Sequence, residues 1–514
     1  MQPILTFSID KPGYAGVNTS DSPVGMDAQF ALTAINCVID QSGRTCARKG
    51  VVRVSSNTNA QLGQSNIEAL GELIAIDGAR TILAAGANNL FKLSGSSIVT
   101  LTYGGGGAAP TITGNNWQLV SLAGSAVFFQ LGHDPLLFDP ALSTTTYRRL
   151  SEHPSYTGTV PLANCAISAY GRIWCADTTT NRMTVTWCDS MIKHKWTAGT
   201  AGYLDLQGVW PNGSDRIVAL ASHNNFLIIF GARQILIYQG ANNPSTMALY
   251  DVIAGIGCAG RDTIQNTEDD LIFLSDSGVR SLERTIQEKS APVGDISANV
   301  WNDVRGYMGS QSSSSRIKSA YSQVDAFYLL SFPDSLIGFC FNTRIKLENG
   351  ALRATTWIDN PAYAFLYTDE RELYMGKAGY IGKYNGYSDD GAGYRISYLS
   401  PWLDLGNDQR VSLIKQVSAI VIGDVDQPMI LSVRFDFDST PTTAFVLGLG
   451  GASLSEWGVA EWGIGEWGVG IGISNLRAPI RGSGKVVQIG IDVDINGNNV
   501  SIQQVGIQAK NGKY

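Results

Sequence analysis

Apolar residues along this chain gather in short runs, each followed by a glycine-bearing polar turn and then a second apolar run. The clearest case is Phe226-Leu-Ile-Ile-Phe-Gly-Ala-Arg-Gln-Ile-Leu-Ile-Tyr238. β-Branched and aromatic residues fill both arms and Gly231 to Gln234 supply the turn, so the stretch predicts a β-hairpin. A hairpin is marginal alone in water. The same pattern recurs with first strands centred on Leu83, Phe128, Ile173, Ile228, Ile272, Leu329 and Leu373, at intervals of 45, 45, 55, 44, 57 and 44 residues. One strong hairpin every 40–50 residues is the mark of β-propeller blades, which must stack around an axis because neither face of a blade can be left in water.

The regions outside this series differ. Residues 1–33 are polar and rich in Gly, Pro and Ser, and predict an extended N-terminal arm, either frayed or laid on a neighbouring subunit. Ala34 to Gly50 reads as a strand, a Ser-Gly turn and a second strand ending in Arg48-Lys-Gly50, and the segment Ala34 to Val54 can also close a blade. Within the propeller region, 34–390, one stretch breaks the all-β pattern. Ile296, Val300, Trp301, Val304 and Tyr307 fall at helical spacing, with Asp295 available as a cap, and predict one inserted helix near 295–307. Residues 391–514 carry longer strand candidates and predict a C-terminal β-sandwich, with Asn496-Gly497 as a type I′ hairpin turn. Between those strands Glu-Trp-Gly occurs three times, at Trp457, Trp462 and Trp467. A five-residue period fits neither strand nor helix, so an ordered loop is expected. Its tryptophans either pack on the sandwich or form a candidate inter-subunit or partner interface.

Composition narrows the function. Charged residues make up 16% and the net charge is −7, which argues against a fixed grip on nucleic acid. Seven cysteines form no CxxC pair and are expected to be buried thiols. The first residues predict no secretory leader and no run predicts a membrane helix, so synthesis and solubility in a cytoplasm are expected. The four histidines show no metal-ligand spacing, and no catalytic or cofactor motif appears. Asp492-Val-Asp-Ile-Asn-Gly497 begins like a calcium loop, but its twelfth position is Gln503 rather than glutamate. Asp269-Asp270 and Asp389-Asp390 lie beside turns and are expected to be solvated. No catalytic, cofactor or metal residue is therefore assigned.

Three stretches resemble the tail-nozzle, or tail-hub, proteins of short-tailed bacteriophages. They are Asn36 to Gly50, the hairpin from Asn225 to Tyr238, and the end from Arg477 through Lys485 to Gly512. The resemblance implies a non-enzymatic structural virion protein, assembled in the host cytoplasm. It implies a homohexameric ring below the portal and adaptor, which continues the DNA ejection channel, closes it before infection and helps hold tail fibres. Genomic double-stranded DNA would then pass through transiently. Two other readings compete: a glycan-binding or glycan-cleaving propeller, and a receptor-binding tail protein using the tryptophan loop.

Overall fold

Phe226–Gly231 and Gln234–Gln239 form the expected hairpin, with Ile228 directly opposite Ile237 and both buried. Its tight turn is held from outside, because the Asp215 carboxylate accepts from the backbone N–H of Ala232 (3.2 Å) and Arg233 (2.7 Å). The structure is a computed structural model that describes residues 4–511, apart from 56–58, 113–115, 269, 289–295, 406–410, 424–428 and 447–472. Strands hold 52% of the residues and helices 7%, so the protein is all-β.

Six four-stranded antiparallel units make a β-propeller. They begin at Ile67–Ile74, Gln118–Leu122, Ala163–Ala169, Ile217–His223, Lys318–Ser322 and Ala364–Tyr367. A shorter sheet of three strands, Gln265–Thr267, Asp270–Ser275 and Gly278–Ser281, fills the interval between the fourth and fifth. Inner strands touch their neighbours in sequence, and Ala364–Tyr367 returns to Ile67–Ile74 to complete the ring. The sixth unit borrows its outer strand from far upstream, since Val51–Arg53 pairs antiparallel with Ile381–Tyr384. Every hairpin read from the sequence is the second and third strand of a unit. Those strands are covered on both faces, as at Phe128, Ile173 and Phe273, so their sequence is apolar without a break.

After the propeller, two sheets pack face to face. In one, Ser412–Gly423 lies between Ile473–Ala478 and Val500–Asn511. In the other, Val487–Ile495 lies between Tyr394–Leu399 and Met429–Phe435. Val417, Val421 and Ile507 from the first sheet share one core with Leu431, Val433 and Ile491 from the second. The second sheet is continuous with the fifth blade: Thr33–Ile35 runs parallel to Leu352–Ile358 on one side and antiparallel to Tyr394–Leu399 on the other.

Several expectations are corrected. Asn496-Gly497 does not close a hairpin. Its flanking strands belong to different sheets, so the turn arches across the core with Gly497 in the left-handed region (φ 93°). Val487–Ile495 is flanked on both sides by Tyr394–Leu399 and Met429–Phe435, and Val500–Asn511 pairs along Ser412–Gly423, so local turn preference yields to sheet pairing. Nor is the N-terminus a free arm: Leu5–Asp10 pairs along Gln504 to Ala509 of the same chain, and Thr19 and Ser20 bond to Asn299 and Asp303. The predicted helix starts later, as a 3₁₀ turn at Ala298–Val300 followed by an α-helix at Trp301–Ser310. Ile296, Val300 and Val304 are buried as expected, while Trp301 faces outward and Asp295 lies outside the described residues. A second short helix, Leu282–Glu288, follows the three-stranded sheet. All seven cysteines are free and buried, and burial pushes the Cys188 thiol up to about 11.

The joint between propeller and sandwich is built on Asn36, Arg48 and Asp389. Asn36 takes a left-handed backbone (φ 54°), which moves the chain from the Thr33–Ile35 strand to Cys37–Ile39 in the other sheet. Its side chain donates to the Arg395 carbonyl (3.0 Å) and accepts from Arg48 Nε (3.2 Å) and the Ile358 N–H (3.1 Å). Arg48, whose side chain is fully buried, meets Asp389 with two parallel bonds of 3.0 and 2.6 Å. A carboxylate-to-amide change at such a pair leaves a buried cation uncompensated. Asp389→Asn is expected to lower unfolding free energy by about 3 kcal/mol, measured by denaturant titration, and an unchanged midpoint would contradict this role. Ile228→Asp is expected to abolish soluble folding, whereas Ile228→Val should cost only about 1 kcal/mol; a soluble, normally assembled Asp variant would show that the hairpin is not core.

Candidate functional site

The inner strands of a propeller leave a space on the axis, and here it is a cavity of about 450 Å³. Glu68, Leu119, Ile167, Ser222, Lys318 and Phe365 bring one side chain each from six different units. The decisive residue comes from the turn Arg261–Thr263, which precedes the three-stranded sheet. Arg261 reaches across the axis and donates to the carbonyls of Asn164 (2.5 Å) and Trp117 (2.6 Å). It also binds Asp262 through Nε and Nη2, at 2.9 Å each. From the fifth blade Lys318 Nζ donates to the same carboxylate at 2.5 Å.

This cluster holds charge and does not move protons. Burial alone would raise the Asp262 carboxyl, but Arg261 and Lys318 together hold it at about 2. Burial pulls the Lys318 amine down, against the pull of Asp262. A carboxylate pinned between two cations cannot act as a general acid near neutrality. Glu68, the other acidic group on the cavity wall, faces Arg316 at 3.7 Å. Glycoside cleavage needs two carboxyl groups with one kept protonated, and here both face cations, Asp262 those of Arg261 and Lys318 and Glu68 that of Arg316. The arrangement is that of a stopper tying the second, third and fifth blades together across the axis.

Of the acids read as solvated, Asp390 is exposed as expected, whereas Asp270 and Asp389 are anchors. Asp270 is buried; it accepts from the backbone of Leu271 and Glu283 and from the Ser281 hydroxyl. Asp389 holds Arg48, and Asp390 holds Arg53 at 2.7 Å. Arg48 and Arg53 lie hundreds of residues from Asp389 and Asp390, so sequence spacing carried no sign of those two pairs. Asp269 lies outside the described residues, as do Trp457, Trp462 and Trp467. Of the calcium-like stretch, Asp494 pairs with Arg395 at 2.7 Å. Among the described residues no group of three or more His, Cys, Asp or Glu converges as a metal site, and no helix is long and apolar enough to cross a membrane.

Sequence reading also missed a histidine stack. His153, after the second blade, and His194, in a loop of the third, lie ring on ring with centroids 3.8 Å apart and planes within 10°. Burial holds both imidazoles below the ordinary histidine range. Lys193 pushes the same way on both, as do His194 and Arg148 on His153, while Asp139 opposes.

No family model matches the chain, and no curated protein is similar to it in sequence. Solved structures similar to it are propeller proteins. YCF48 from Cyanidioschyzon merolae is 10% identical with a TM-score of 0.41, covering 65% of this chain and 99% of that one. The WD40 domain of Neurospora crassa Pan2 is 9% identical with a TM-score of 0.38, covering 66% and 95%. An auxiliary nutrient binding protein from Bacteroides thetaiotaomicron is 10% identical with a TM-score of 0.35, covering 66% and 76%. Likeness at this level concerns the fold alone.

The stack makes stability depend on pH. Both rings are held neutral in the folded chain, while in the unfolded chain each takes a proton near about pH 6.5. The stabilisation is therefore present above that pH and is lost as pH falls toward the lowered folded values. Wild-type melting temperature is expected to drop between about pH 7.5 and 5.5, and the double variant His153→Phe/His194→Phe should drop less. Equal drops would remove the stack as the cause.

Proposed function

We propose that this chain is a structural virion protein, the nozzle or hub of a short bacteriophage tail, working as a ring that continues and closes the DNA ejection channel and anchors other tail parts. One observation carries the reading: the residues that resemble that family form the mechanical framework of the fold. Asn36 and Arg48 make the joint. Gly50 fits only without a side chain, since a Cβ there would lie 2.0 Å from the Ser388 carbonyl oxygen. Ile228 and Ile237 centre the fourth blade. Arg477 to Lys485 supplies strands that flank Ser412–Gly423. The axial cluster supports the same reading, because its carboxylate is committed to ion pairs.

A ring built from one patch meeting another closes only when the rotation is right, and sparsely charged sides suit that contact. An acidic subunit, at −7 per chain, suits a lumen through which DNA must slide. Electron microscopy and light scattering of the purified chain are expected to show rings of six. A stable monomer that binds glycans would favour the glycan-binding reading instead. In a filter-binding titration, weak and salt-insensitive affinity for duplex DNA is the expected result. Tight, salt-dependent binding would count against a non-sticking channel.

A further inference from the structure

A second cavity, of about 590 Å³, opens where the sixth blade meets the joint. Its wall includes Asn360 and Pro361 from the link between the fifth and sixth blades, Lys377 from the turn after Leu373–Gly376, and Asp389 and Tyr394 from the segment that leads into the sandwich. Lys377 is the unusual member. Its residue is 5% exposed, yet it lines a cavity. Its backbone is fixed on both sides, with its N–H on the Tyr380 carbonyl (3.0 Å) and its carbonyl accepting from the Ile67 N–H (3.1 Å).

The amine has two acceptors, Asn360 Oδ1 and, at 2.8 Å, the Pro361 carbonyl oxygen. Both are uncharged. Among the described residues no carboxylate lies within salt-bridge reach of it, and the nearby Asp389 is paired with Arg48. An ammonium has three N–H groups to satisfy, whereas a neutral amine has two and keeps a lone pair. Two neutral acceptors fit the neutral amine. Burial acts in the same direction, as does the Arg48 cation, against the opposing pull of Asp389, and the amine is held down to about 7. The other charged or titratable groups on this wall are Asp359, Tyr363, Tyr380, Tyr394 and Arg395, and Arg395 is paired with Asp494.

We propose that Lys377 is a nucleophilic amine and that the cavity around it is a capture site for small aldehydes and ketones. The Nζ lone pair forms a bond to the carbonyl carbon as the C=O π pair moves onto oxygen. A proton passes from nitrogen to that oxygen to give a carbinolamine, and loss of water leaves an imine. Amine and carbonyl give imine and water, and nothing else is consumed. This site stands apart from the ring reading and does not depend on it.

The full-length chain treated with limiting acetaldehyde and cyanoborohydride, which traps the imine by hydride transfer, gives the test. Alkylation is mapped by peptide mass spectrometry. At about pH 7, Lys377 should be alkylated roughly tenfold or more faster than the median lysine, since ordinary lysines are almost wholly protonated there. Its rate should level off above about pH 8, while the others keep rising toward about pH 10. Asn360→Asp places a carboxylate beside the amine and should remove the preference at about pH 7, with Lys377 labelling then rising at higher pH alongside that of the other lysines and circular dichroism unchanged. Labelling of Lys377 no faster than other lysines at about pH 7 would overturn the proposal. So would a preference that survives in Asn360→Asp.

Discussion

The structure depends on one buried cation. Arg48 gives both ends of its guanidinium to Asp389, lies 4.2 Å from the Tyr394 ring centre and 5.5 Å from that of Trp357, and bonds through Nε to Asn36. These contacts come from four separate stretches: the N-terminal crossover, the fifth blade, the connector after the sixth blade, and the first strand beyond it. Taking a guanidinium out of water costs several kcal/mol unless its bonds and its charge are met. Here they are met only when all four stretches are in place. The pair therefore contributes little as a simple attraction and much as a condition, since any arrangement that separates the stretches leaves a bare charge in the core.

That condition explains the closure of the ring. Val51–Arg53 completes the sixth blade three residues after Arg48, so the chain that supplies the latch also supplies the closing strand. Leu5–Asp10 is in turn an edge strand on Val500–Asn511. Both ends of the chain are woven into the same joint. Pairings of such long sequence separation form late and make folding slow, because loop closure must precede the contacts that reward it. In exchange, the closing blade cannot detach without exposing Val51 and Met375, nor the N-terminal segment without exposing Ile9 and Val17.

What was legible in the sequence follows from how each element is buried. Central blade strands such as Phe226–Gly231 are covered on both faces, so every position is apolar and the period of the hairpins shows. Inner and outer strands have one wet or polar face, and Ala248–Ala254 or Gly202–Asp205 gave no comparable signal. Asn496-Gly497 was read as a turn, which it is, but a turn does not say which sheet its strands enter. Asp389 looked like a loop acid because its partner Arg48 is brought to it by tertiary folding and not by spacing. The His153 and His194 stack and the Arg261 stopper were hidden for the same reason. Lone polar residues gain their meaning from the blade beside them.

The stopper bears on where a channel can lie. Arg261 crosses the propeller axis and is bonded on the far side to Trp117 and Asn164, while Lys318 and Asp262 complete the block. Opening that path would strand two cations and a carboxylate in a confined space, at a cost that no sliding polymer repays at each step. The hole of the propeller is thus a core feature and not a conduit. If DNA passes this protein, it passes between copies of it, along surfaces that the blades present outward. The propeller then serves as a stiff wall, and its rigidity comes from the same charged cluster that keeps its own axis shut.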